Sequence, residues 1–207
     1  MYAEERSTLI ARARTGDGQS LGQLLDSYRN YLTLLADMEI GRRLQRKVDA
    51  ADIVQEVFLE AHRQYPNFKG QAEAQMTEWM RTILAGVLAN TVRRYFGTQA
   101  RDIRLEQDVA DDLARSSVQL AAWAVDQRSS PSAQAIRGEQ TLIVADGLAK
   151  LSAEYRAVLT MRHLEGMPFG EIASRLNRSE DSVQKLWVRG LTKLKRACAE
   201  DDDHGQS

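Results

Sequence analysis

Residues 168–196 read PFGEIASRLNRSEDSVQKLWVRGLTKLKR, and this stretch decides the fold of the C-terminal part of the chain. Apolar residues recur there at helical spacing in two groups, separated by a short polar gap. The groups are Phe169, Ile172, Ala173 and Leu176, followed by Val183, Leu186, Trp187, Gly190, Leu191 and Leu194. Because the gap has room only for a tight turn, the stretch predicts a helix-turn-helix.

The residues in the gap suit such a turn. Asn177 tolerates the left-handed conformation that often ends a helix, and the Ser179 hydroxyl can accept a backbone N–H at the start of the next helix. Glu180 and Asp181 would then lie in the first turn of the second helix, where the helix dipole favours acidic side chains.

The outward face of the second helix is polar. Gln, Lys and Arg side chains can make paired hydrogen bonds to purine edges in the major groove, and a helix fits that groove. A solvated surface helix would have the same pattern, so both interpretations stay open at this point. The outward residues are Ser182, Gln184, Lys185, Arg189, Thr192 and Lys193.

Composition limits what the chain can be. It has 207 residues, is 43% hydrophobic and 28% charged, and shows no alternating β-branched runs, which favours an all-α protein of one or two domains. A formal net charge of -1 gives no global attraction to nucleic acid, so a DNA-binding surface must be local. Residues 151–196 contain nine basic and five acidic side chains, which supports such a surface.

Several other classes of function are disfavoured. The three histidines are far apart, and we find no P-loop, nucleophile elbow or metal-ligand spacing, so we predict no catalytic residues, no metal and no cofactor. The glycines of residues 15–18 mark a helix boundary rather than a phosphate cradle. A single cysteine, Cys198, and the lack of an apolar leader or spanning segment predict a cytoplasmic protein.

The N-terminal part also has helical patterns. Ser20, with Gln23 three residues later, is predicted to cap a helix whose apolar stripe is Leu21, Leu24, Leu25, Tyr28, Leu32 and Leu35. A second helix at residues 49–63 has a polar face of one sign, because Asp52, Gln55 and Glu56 lie at i, i+3 and i+4. This face is either solvated or a docking surface for a basic partner.

Residues 65–96 begin with an aromatic and basic loop and continue as a long helix that ends in Arg93, Arg94 and Tyr95. Rings that stack on bases and cations that follow phosphates are typical of single-stranded DNA binding. The alternative is that the aromatic residues of the loop belong to the core.

Three segments in order now identify a family. DAADIVQEVF at residues 49–58, FKGQAEAQMTEWMRTILA at residues 68–85, and LSAEYRAVLTMRHLEGMPFGEIASRLNRSEDSVQKLWVRGLTKL at residues 151–194 resemble the extracytoplasmic-function group of bacterial RNA polymerase sigma factors. The resemblance spans about residues 8–196. It implies a first domain that binds the β′ clamp helices and melts the minus-ten element, and a second domain that reads the minus-thirty-five element.

The resemblance implies particular contacts for this chain. Core-polymerase contacts are expected at Asp49, Asp52, Gln55 and Glu56. Minus-ten DNA contacts are expected at Phe68, Lys69, Gln71, Trp79, Asn90, Arg93 and Arg94, and minus-thirty-five contacts at Arg178, Ser182, Gln184, Lys185, Arg189 and Lys193. The expected partners are core RNA polymerase, including its β subunit, and promoter DNA, and the resemblance leaves an anti-sigma factor open.

Five positions depart from the common pattern of the family. Gly86 replaces an asparagine and Asn90 an aspartate; Asp181-Ser182 replace a Gly-Thr pair, and Leu186 occupies a commonly basic position. These departures concern base preference at the two promoter elements, and not the architecture.

The predicted organisation is therefore two small helical domains joined by a linker, the C-terminal domain being the helix-turn-helix. Residues 1–96 form the first domain, 97–135 an acidic linker with some local helix or burial, 136–199 the second domain and 200–207 a disordered tail. The alternative is a dimeric helix-turn-helix regulator that binds an operator.

Overall fold

The computed structural model describes residues 2–44, 47–70, 72–96, 103–127 and 136–203. The helices in these ranges confirm the all-α prediction. In chain order they are α1 (Tyr2–Arg14), α2 (Gly18–Asp26), α3 (Arg29–Arg43), α4 (Ala50–Gln64), α5 (Glu73–Phe96), α6 (Ile103–Gln127), α7 (Ile136–Ala149), α8 (Ala153–His163), α9 (Phe169–Leu176) and α10 (Glu180–Asp203), with a 3-10 turn at Tyr65–Asn67.

The chain divides into two compact units, Met1–Arg115 and Ser116–Ser207. The division falls within α6, so the stretch expected to be a linker contains a helix of 25 residues that contributes to both units. At the other end, α10 reaches Asp203, which carries the helix into the segment expected to be a disordered tail. Residues 204–207 lie outside the described residues.

The cap of α2 differs from the prediction. Asp17, and not Ser20, is the N-cap, because the Asp17 carboxylate accepts the backbone N–H groups of Gln19 and Ser20 at 3.1 and 3.2 Å. Ser20 lies one turn inside the helix, only 1% exposed, and its hydroxyl donates to Asp17 at 2.7 Å. The hydrogen bonds from Ser20 hold the pKa of Asp17 at about 2.

The apolar stripe predicted for one helix belongs to two. The chain turns at Ser27 and Tyr28, where the Ser27 hydroxyl donates to the Leu24 carbonyl at 2.7 Å and the Tyr28 N–H donates to the Leu25 carbonyl at 3.1 Å. The stripe still serves one core, because Leu24 and Tyr28 are both completely buried. Periodicity alone does not reveal such a turn, since the buried face continues through it.

Helix α1 has no counterpart in the sequence prediction. One of its buried residues is a charged one, Arg6, which is 4% exposed and pairs with Glu73 of α5 at 2.8 Å. An arginine on the inward face breaks the apolar pattern that would have indicated an amphipathic helix. The pair places the start of α5 against α1.

The second unit has its core between α8, α9 and α10. Val158, Met161, Met167, Ile172, Ala173 and Val183 form the buried cluster. Helix α7 packs against the C-terminal half of α10, where Gly147 permits close approach: a Cβ there would lie 2.8 Å from the Cys198 sulfur. Together with α8 and α9, α7 holds one side of α10 and leaves its remaining face to solvent.

In the described part of the chain, no helix is both long and apolar enough to cross a membrane. Nor do the described His, Cys, Asp and Glu side chains form a group of three that could hold a metal ion.

Candidate DNA-binding and polymerase-binding surfaces

The helix-turn-helix forms as predicted. Asn177 adopts the left-handed conformation, with φ 51° and ψ 50°, and the Arg178 N–H donates back to the Ala173 carbonyl at 2.9 Å. The Ser179 hydroxyl accepts the Ser182 N–H at 3.3 Å and so caps α10. Both features close the turn through local hydrogen bonds.

The predicted minus-thirty-five residues lie mostly on the solvent side of α10. Gln184, Lys185, Arg189 and Lys193 are exposed, whereas Ser182 is half-buried. Two of them contact an acidic side chain one turn earlier in the helix. Lys185 pairs with Asp181 at 2.7 Å, and the Gln184 amide donates to the Glu180 carboxylate at 3.4 Å. Arg178 is exposed in the turn and pairs with Glu154. The Lys193 ammonium lies 5.3 Å from the centroid of the Tyr155 ring.

An aromatic stack supports the inner side of α10. The Trp187 indole N–H donates to Nε2 of His163 at 3.0 Å, and the His163 ring stacks on Trp123 of α6 with centroids 4.4 Å apart. Phe169 of α9 meets Trp187 edge-on at 5.5 Å. The sequence marked Trp187 as apolar core, but its partners come from distant segments, so spacing could not identify them.

The acidic face of α4 is exposed in the first unit. Asp52, Gln55 and Glu56 all point to solvent, and Asp49 is the N-cap of α4, accepting the Ala51 N–H at 2.9 Å. Glu56 also pairs with Arg94 of α5 at 3.5 Å. The face borders a cleft of about 290 Å³ whose lining includes Asp52, Ile53, Glu56, Arg94 and Tyr95.

The loop before α5 is an aromatic cluster. Phe68 lies 4.7 Å from Trp79 and 5.8 Å from Tyr65, measured between ring centroids. The ring of Phe68 folds over Gly70, where a Cβ would approach it to 2.3 Å, so any larger residue would force the ring to shift. Phe68 and Trp79 are half-buried, while Lys69 is exposed. Gln71 lies outside the described residues.

A cavity of about 550 Å³ opens beside this cluster. The helix boundary at residues 15–18, where Gly16 has φ +92°, forms part of its wall. Other lining residues include Arg14, His62, Tyr65, Phe68 and Lys69. The sequence predicted the boundary but gave no sign that it meets the aromatic loop.

The basic end of α5 is only partly accessible. Asn90 and Arg94 are exposed, but the Arg93 side chain is 16% exposed, donates to the Ala89 carbonyl at 3.1 Å and lies 3.7 Å from Glu106 of α6. The same half of α6 also pairs with α3, through Asp112 and Arg43. Arg93 therefore has an acidic partner that the sequence did not reveal.

Comparison with known proteins identifies the family of the chain. Residues 28–97 match sigma-70 region 2, and residues 141–194 match sigma-70 region 4. The chain belongs to the extracytoplasmic-function group of RNA polymerase sigma factors. The dimeric operator-binding regulator is not favoured, because the N-terminal unit matches a sigma-factor region.

Relatives cover most of this sigma factor. It is 26% identical over 187 residues to the sigma-E factor of Haemophilus influenzae, covering 85% of this chain and 92% of that protein. It is 25% identical over 181 residues to the sigma-E factor of Escherichia coli, covering 87% of each. The sigma factor BldN of Streptomyces coelicolor is 23% identical over 193 residues, which cover 93% of this chain and 66% of BldN.

The matched regions contain the candidate residues of the sigma factor and leave three of the described helices outside. The α4 face, the aromatic loop and the end of α5 fall in region 2, and the exposed face of α10 falls in region 4. Helices α1, α2 and α6 lie outside both matches. The ion pairs Arg6–Glu73 and Arg93–Glu106 therefore each join an unmatched helix to matched helix α5.

Proposed function

We propose that this sigma factor docks on the β′ clamp helices of core RNA polymerase through the face of α4 formed by Asp52, Gln55 and Glu56. The same proposal places the melted minus-ten strand at the aromatic loop, the minus-thirty-five duplex on α10, and further contacts on the β subunit. Because core polymerase initiates transcription in the cytoplasm, we expect the sigma factor to act there.

The exposed side of α10 is the observation that carries the proposal. Its inner side is held by α8, α9 and the Trp187 stack, so the outer side is free to meet DNA. Gln184, Lys185 and Arg189 on that side are donors suited to base edges and phosphates. In helix-turn-helix proteins the second helix packs on the first in this way and enters the major groove with its outer side.

Charge and exposure support the polymerase-binding assignment. Asp52 and Glu56 are exposed, and Glu56 pairs with Arg94, whose side chain is itself 64% exposed. Exposed pairs of this kind contribute little to folding. Opposite charges across an interface increase the rate and the specificity of association, so an acidic face suits a basic partner.

Two features support the minus-ten assignment. Phe68 and Trp79 present half-buried rings beside exposed Lys69, which fits stacking of a base together with a phosphate contact. Arg94 is exposed at the end of α5, in line with this role. Arg93 reaches DNA only if its contact with Glu106 opens, so we assign it a secondary part.

In vitro transcription with core polymerase and a library of genomic fragments tests the function as a whole. The native chain should co-purify with core as a monomer and start transcripts from a defined set of promoters. Arg189→Ala should lower promoter affinity about tenfold to a hundredfold, the effect of losing one bidentate base contact. A chain that binds duplex DNA as a dimer and starts no transcripts would contradict the proposal.

A further inference from the structure

The outer face of α10 carries a stripe of exposed residues that includes an acidic and an apolar side chain as well as a basic one. Asp181, Lys185 and Val188 follow one another at i, i+4 and i+7, so they lie in a line along the helix. The side chains of Asp181 and Lys185 are 72% and 65% exposed, and Val188 is 54% exposed. The stripe therefore presents an acceptor, a donor and an apolar group in order.

We propose that Asp181 and Val188 are specificity-determining residues, which select a cytosine and a thymine in the minus-thirty-five element. Asp181 accepts a hydrogen bond from the exocyclic amine of cytosine, and Val188 contacts the methyl group of thymine. The inference rests on the proposed role of α10 as the reading helix and deepens it.

The spacing fits the DNA. Seven residues of α-helix rise about 10 Å, and successive bases on one strand are about 3.4 Å apart. Asp181 and Val188 therefore meet positions roughly three base pairs apart. Lys185, between them, is placed over the intervening pairs as a donor to guanine.

An acid on a helix that faces phosphates lowers affinity unless it gains a hydrogen bond in return. The Asp181–Lys185 contact of 2.7 Å offsets the charge. A carboxylate has about four lone-pair sites, so one bond to Lys185 leaves acceptor capacity for a base amine. Asp181 is thus neutralised by its neighbour and still able to discriminate cytosine from thymine.

Val188 has no role in the core of the second unit. The buried cluster uses Val183, with the partly buried Leu186 and Trp187 packed against it, whereas Val188 is 54% exposed. One turn further, the Thr192 hydroxyl donates to the Val188 carbonyl at 3.0 Å, so this part of the stripe offers few polar groups. In the major groove, the group that an apolar side chain can contact favourably is the methyl group of thymine.

The first test selects promoters with holoenzyme from a library randomised across the minus-thirty-five element. The native chain should enrich one cytosine and one thymine about three positions apart. Asp181→Ala should lose the cytosine preference only, and Asp181→Asn should exchange it for adenine, which asparagine binds through two hydrogen bonds. Val188→Ala should lose the thymine preference only.

The second test removes a single methyl group. Replacing the selected thymine with deoxyuridine should weaken binding of native holoenzyme about fourfold, the effect of one buried methyl-sized group. With Val188→Ala the same replacement should change nothing. Val118→Ala is the matched control, because Val118 is a valine exposed to 66% on α6, outside the reading face.

The outcomes separate the two levels of the proposal. If Arg189→Ala changes the selected element but Asp181→Ala, Asp181→Asn and Val188→Ala leave it unchanged, the inference about the stripe is wrong and α10 remains the reader. If Arg189→Ala has no effect either, the assignment of α10 fails. The melting temperature of each variant, expected within a few degrees of native for exposed positions, shows that the comparison is between folded proteins.

Discussion

Replacing Asp52 and Glu56 with lysine tests the polymerase-docking face of α4. Both side chains are exposed and lie at i and i+4, so the double variant reverses the sign of the face without touching the core. Asp49 is left unchanged because it caps α4, and its loss would alter folding as well as binding.

The two expected effects differ greatly in size. The only ion pair lost in the described part of the chain is Glu56–Arg94, at 3.5 Å, with side chains 47% and 64% exposed. Exposed pairs contribute at most about 1 kcal/mol, so the melting temperature should fall by no more than about 4 °C. Like charges across an interface cost several kcal/mol, which is a loss of affinity for core of more than about a hundredfold.

The assay measures co-purification with core polymerase, together with circular dichroism of the free chain. The matched control is Asp26→Lys with Glu78→Lys, which makes the same change in net charge at exposed positions on other helices. We expect the control to bind core like the native chain. The single variant Asp52→Lys separates docking from the Arg94 pair, because it leaves that pair intact.

One result would refute the reasoning. If the double variant keeps its helical signal and melting temperature but still binds core and initiates transcription like the native chain, the docking face lies elsewhere. If the control loses binding equally, net charge rather than the α4 face governs the association.

Phe68→Ala should slow opening of the minus-ten element, measured by permanganate footprinting, and also lower stability by about 1 kcal/mol through lost stacking on Trp79. Asp17→Ala should lower the melting temperature near neutral pH. Because the pKa of Asp17 is about 2 in the fold and lies below its ordinary value of 3.8, this stabilisation is present above about pH 4 and is lost as the pH falls through 2. Glu106→Gln should free Arg93 and increase affinity for a minus-ten single strand by up to about fivefold.

Each of these predictions has its own check. For the loop, Phe68→Leu keeps bulk without an aromatic face, so unchanged melting with lowered stability would make Phe68 a core residue only. For the cap, a difference in melting temperature between native and variant that persists below pH 2 would contradict the account. For α6, Asp108→Asn is an exposed control on the same helix, and an equal gain from it would point to general charge rather than to Arg93.

The sequence by itself determined the features that local interactions control. Asn177, Ser179 and two short apolar stripes specify the turn and both flanking helices, because each hydrogen bond involved closes within five residues. The acidic face of α4 followed in the same way, from spacing along one helix. The cap of this helix is equally local, because Asp49 accepts a hydrogen bond from a residue two positions away.

Only the tertiary structure decided what depends on residues distant in the chain. The partners of Arg6, Arg93 and His163 lie on other helices, and no spacing rule connects them. The turn at Tyr28 was missed because helical periodicity shows which side is buried but not where the backbone turns. The cap of α2 is a different case: its hydrogen bonds are local, and the sequence offered both Asp17 and Ser20 as cap residues within one turn. The physical reason is that backbone turns and ion pairs between helices are settled by packing, which local periodicity does not encode.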